Sequence, residues 1–94
     1  MSKRDEYIEK MKLQLDEVNA RMNELQAKAQ AAKQDARDTY EAEMAKLRQQ
    51  SQLALAKLDE LRVAGEDTWE TMVAEMEKIR DAFTRSFHYF KSQL

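Results

Sequence analysis

The chain has 94 residues, room for a single domain over 1–94. Sixteen Lys and Arg stand against eighteen Asp and Glu, a formal charge of −2, and no basic stripe of the kind that grips nucleic acid shows over the first eighty residues. With no Cys there is no disulfide framework, thiolate nucleophile or zinc-ligand set, and with one Gly and no Pro few loops are on offer.

What remains is rich in Ala, Glu, Lys, Leu, Arg and Gln, the composition of long helices. Ser2 ahead of Asp5 and Glu6 reads as a helix start, with acidic residues at the positive end of the dipole. The opening residues lead into no apolar run, so neither a leader nor a membrane span is expected, and a cytoplasmic location is the default.

From Ile8 onward apolar residues return every three then four positions. Ile8, Met11, Leu15, Val18, Met22, Leu25, Ala29, Ala32 and Ala36 are followed by Tyr40, Met44, Leu47, Ser51, Ala54, Leu58 and Leu61. That is the a/d seam of a coiled coil, which another helix must cover. Heptad register slips by one residue after Ala36: Tyr40 and Met44 are apolar where register asks for Thr39 and Glu43. The slip falls beside an alanine-rich segment, Gln26–Ala36, whose residues are all competent helix formers. The expectation is therefore one long helix over 3–63, with a break in the alanine segment as the alternative. Pairs such as Glu6–Lys10, Glu17–Arg21 and Glu24–Lys28 decorate its exposed faces.

Punctuation comes at Ala64-Gly65-Glu66-Asp67. Gly65 fits a C′ position where positive φ is wanted, and Asp67 with Glu70 fits an N-cap and its partner. These predict a turn at 64–67 and a helical hairpin; a continuous helix through Gly65 is the competing possibility. The shorter helix, starting at 67 or 68 and ending near 92, has a broad apolar face: Trp69, Met72, Val73, Met76, Ile79, Phe83, Phe87 and Phe90. Hairpin packing is assigned to Gly65 and to these residues.

A hairpin alone leaves the first half of the long helix with a bare stripe, and each uncovered Leu, Ile or Met forgoes about 1.5–3 kcal/mol. The predicted fold class is therefore all-α. Its expected form is an antiparallel coiled-coil homodimer with a three-helix bundle at each end, in which Ile8 to Leu61 form the dimer seam. A parallel dimer is the alternative.

Chemistry is scarce. His88 is the sole histidine and lacks the companions a metal site in a bundle needs. Glu75 and Glu77 lie on different helix faces, and Ser51 has no base near it in sequence. No catalytic, metal or cofactor residues are expected. Two functions follow: a non-enzymatic homodimeric scaffold or adaptor, and, alternatively, a membrane-surface protein using Phe83, Phe87, Tyr89 and Phe90 beside Arg85 and Lys91.

Three stretches carry a resemblance: residues 1–17, Lys28-Ala-Gln-Ala-Ala-Lys33, and Leu58-Asp-Glu-Leu-Arg-Val-Ala-Gly-Glu-Asp-Thr-Trp-Glu70. They resemble a family of small bacterial coiled-coil domain proteins, sometimes likened to apolipoprotein helices. The resemblance implies a helical protein and carries over no catalytic residues. Family members often have further tryptophans in the last helix, where this chain has Met76 and Phe83.

Overall fold

The computed structural model describes residues 2–94; Met1, the first residue of the stretches that carry the resemblance, lies outside them. All described secondary structure is helical: α1 (Lys3–Gln30), α2 (Gln34–Arg62) and α3 (Glu66–Gln93). The helices run up, down, up. Arg4 meets Arg62 and Gln26 meets Arg48, so α2 runs against α1. Lys57 meets Glu75 and Tyr40 meets Gln93, so α3 runs against α2. Tyr7 meets Glu77 and Gln14 meets Arg80, which sets α3 parallel to α1.

The expected long helix over 3–63 is thus two helices of nearly equal length, and the molecule is 50 Å long where a straight helix over that span would measure about 90 Å. The reversal occupies Ala31, Ala32 and Lys33. Its physical reason is burial. Turning back costs a few helical hydrogen bonds of about 1 kcal/mol net each. In return Ile8, Met11, Leu15, Met22 and Leu25 are all covered by the same chain, at about 1.5–3 kcal/mol apiece and with no association entropy to overcome. The alanine segment is where a break sacrifices least packing. Ala29 is buried, while Ala32 and Ala36 are half-buried at the turn instead of forming seam layers.

The ends of the helices follow local rules. Ser2 caps α1, its hydroxyl accepting from the Asp5 N–H at 3.2 Å. Lys33 stands at the N-cap of α2 and supplies no side-chain hydrogen bond. The second reversal runs through Val63, Ala64 and Gly65. Gly65 does not take the positive φ expected of it: it is the N-cap of α3, with φ −74° and ψ 165°, and Asp67 lies in the first turn instead of capping it. Thr68 ties this corner, its N–H and its hydroxyl both donating to the Gly65 carbonyl at 3.2 Å. Gly65 itself is exposed, whereas Ala64 is buried.

Inside, one continuous core joins the three helices. It contains Ile8, Met11, Leu15, Met22, Leu25 and Ala29 from α1, and Met44, Leu47, Ala54, Leu58 and Leu61 from α2. Met76, Phe83, Phe87 and Phe90 come from α3. Val18, Tyr40, Trp69, Met72, Val73 and Ile79 pack on its edge, half-exposed. Tyr40 sets its ring edge-on to Phe90 at 5.7 Å near the first reversal. One polar layer interrupts the core: the Ser51 hydroxyl donates to Asn19 Oδ1 at 2.6 Å, so the burial of Ser51 leaves no unpaired donor.

Candidate functional site

A bundle of three helices has three seams, and here they differ. The α1–α2 seam carries smaller openings at its two ends, one of about 330 Å³ beside Ile8 and Arg62 and one of about 210 Å³ beside Ala29 and Met44. Between the parallel helices α1 and α3 the surface opens into a groove of about 380 Å³. Two apolar side chains, Val18 and Phe87, lie in its lining, and Gln14, Glu17 and Arg21 line it from α1. Arg80, Asp81, Thr84 and His88 line it from α3. Arg80 bridges the walls: its Nη1 donates to Gln14 Oε1 at 3.2 Å while its Nη2 pairs with Asp81 at 3.0 Å. The groove therefore has a narrow apolar floor, the half-buried Val18 with the almost wholly covered Phe87 beneath it, and a rim of both signs. His88 is exposed, its ring lying edge-on to Phe87 at 5.6 Å.

At the other end of the seam sits an aromatic cluster. Trp69, packed on the edge of the core, meets the edge of Tyr7 at 5.8 Å and carries the Arg4 guanidinium 4.9 Å from its ring centre. Arg4 also donates to the Arg62 carbonyl at the end of α2, where the helix dipole is negative. The Tyr7 hydroxyl donates to Glu77 Oε1 at 3.4 Å. Burial of the phenol, with the Glu77 carboxylate beside it as a second cause, pushes its pKa up to about 12.

Apart from Arg80–Asp81, the ion pairs among the described residues lie away from the groove. Lys57 bridges Glu60 at 2.9 Å and Glu75 at 2.8 Å, joining α2 to α3. The Lys57 hydrogen bond holds the Glu75 carboxyl below its ordinary value, and the Glu75 and Glu60 hydrogen bonds raise Lys57. None of the pairs Glu6–Lys10, Glu17–Arg21 and Glu24–Lys28 forms a salt bridge among the described residues; Glu43–Lys46 and Asp59–Arg62 do, three residues apart.

The residues proposed for membrane contact divide sharply. Phe83, Phe87 and Phe90 are core residues no more than 2% exposed, and only Tyr89 faces out. Contact with lipid through all four would require α3 to leave the bundle. Among the described residues no helix is long and apolar enough to cross a membrane. Among the described residues no three His, Asp or Glu side chains converge in a metal-holding group. Sequence reasoning placed Val18 and Phe87 on apolar faces but missed Gln14, Arg80 and Thr84. Their meeting depends on α1 lying beside α3, which no local signal specifies. No family model, curated protein or solved structure matches the chain.

Proposed function

We propose that this protein is a non-enzymatic interaction module, a scaffold or adaptor, that receives a helix of a protein partner in the α1–α3 groove. The observation that carries this is the groove itself: an open trough between two parallel helices, with Val18 and Phe87 below and Glu17, Arg21, Arg80 and Asp81 along its edges. A helix laid there would complete a four-helix arrangement, with an apolar residue over Val18 and its charges answering both signs of the rim. The core is already covered within one chain, so the groove is free for another occupant.

A photo-crosslinking residue replacing Thr84 tests this in cells that make the protein. One discrete protein adduct is expected from position 84 and none from position 53, where Leu53 is exposed on the far side of α2. Equal labelling from both positions contradicts a groove-directed partner. Flotation with anionic vesicles tests the other function weighed for the chain. Binding to vesicles with loss of the Trp69 near-ultraviolet signal would instead support a bundle that opens on lipid.

A further inference from the structure

The first reversal can be undone without disturbing what it joins. Ala31 stays in the right-handed region (φ −82°, ψ −6°), and Lys33 has a helical φ of −60° but an extended ψ of 150°. Residues 31–33 include neither Gly nor Pro, and Lys33 contributes no capping bond that opening would break. A helix running straight through would give partners to the free carbonyls ending α1 and the free N–H groups starting α2. The second reversal is different, for it buries Ala64 and is fastened by Thr68.

The two apolar stripes also keep phase across the hinge. Ile8 and Met44, Met22 and Leu58, and Leu25 and Leu61 are all separated by 36 residues, ten turns at 3.6 residues per turn. Straightening therefore brings both buried faces onto one side of a single helix. The cross-contacts Arg4–Arg62, Asn19–Ser51 and Gln26–Arg48 have their midpoints at residues 33, 35 and 37. A two-fold axis through that segment would recreate each of them between two chains.

We propose that a second copy of this chain is a built-in partner. In the exchanged dimer the hinge at 31–33 straightens, α1 and α2 fuse into one helix, and α1 of each copy docks on α2 and α3 of the other. The bundle at each end repeats the one within the single chain, so no new surface is needed, whatever the groove binds. Gain at the hinge is set against the cost of association, and the exchanged form rises with concentration.

Because the chain has no cysteine, Asn19→Cys with Ser51→Cys reports the exchange directly. The two side chains touch at 2.6 Å, within one chain when closed and between chains when exchanged. Unfolded protein is refolded at low micromolar and at near-millimolar concentration, oxidised, and run on a denaturing gel without reductant. The expected products are a single-chain species at low concentration and a covalent dimer at high concentration. Lys33→Pro suits the φ of the closed form but disfavours the through-helix by roughly 100-fold in each chain, and is expected to remove the dimer band. A single-chain product at both concentrations, or a dimer undiminished by Lys33→Pro, overturns the proposal. Should the double variant not fold, light scattering on the cysteine-free chain decides, with and without Lys33→Pro. A dimer peak after concentrated refolding that Lys33→Pro abolishes supports exchange, and its absence or its persistence in the variant overturns it.

Discussion

Burial separates leucines that the composition treats alike. Leu58 is 1% exposed and Leu13 is 65% exposed, so truncating them has unequal consequences. Leu58→Ala is expected to cost about 2–5 kcal/mol in a urea titration, the removed methyls and the cavity together. Leu13→Ala is expected to stay within about 0.5 kcal/mol. Similar losses at the two positions would mean that the face assignments are wrong. Tyr7 makes a separate pH-dependent contribution. Its folded pKa, about 12, lies above the ordinary value of 10.0. The neutral phenol is the form that the fold favours, so its contribution is complete below pH 10 and is lost as pH climbs from there toward 12. Lys57, also raised, loses its contribution in the alkaline range too, and Tyr7→Phe separates the two. That variant is expected to flatten the decline in melting temperature between pH 10 and 12 and to remove the late-titrating phenolate absorbance. An unchanged profile would contradict it. Glu75 acts in the opposite direction: its lowered pKa contributes above the ordinary carboxylate value and is lost as acid protonates it.

At the scale of elements, the two reversals show what local signals can and cannot specify. Glycine marked the second corner, yet for the wrong conformation. Gly65 has negative φ, and a Cβ placed on it would come no nearer than 4.0 Å to another side chain, at Asp67 Oδ1. Gly65→Ala is therefore expected to cost no more than about 1 kcal/mol, the ordinary N-cap difference, by thermal melting. A loss well beyond that would restore the positive-φ assignment. The first corner had no marker residue, since Ala31, Ala32 and Lys33 are all at home in a helix. The register slip after Ala36 falls a few residues beyond the turn, and a one-residue insertion relaxes a supercoil without ending a helix. The slip's meaning stayed ambiguous, because 36 residues keep phase in a straight helix as well as allowing a turn. Lys33 also puts positive charge at the positive end of α2, with no acceptor to offer. Lys33→Asp is expected to stabilise the closed chain by about 1 kcal/mol in denaturant titration, and destabilisation would argue against a helix start there.

For the molecule as a whole, periodicity identified which faces are apolar, from Ile8 through Leu61 and from Met76 through Phe90, and thereby the all-α class. It did not identify whose helix covers which face. The same antiparallel pairing of residues serves within one chain or between two, and the difference rests on three residues of backbone. The groove was legible only in pieces for a related reason: α1 and α3 meet through topology, not through sequence proximity.

A single distance reads that topology. Spin labels at Lys10→Cys and Glu60→Cys, both exposed positions, are measured at low micromolar concentration in an excess of unlabelled chain, so that only labels on one chain report. A closed bundle places them on adjoining helices whose axes lie about 10 Å apart, and a distance under about 25 Å is expected. A distance near 75 Å, the rise of an unbroken helix between those positions, would contradict the reversal at Ala31–Lys33 and with it the closed fold.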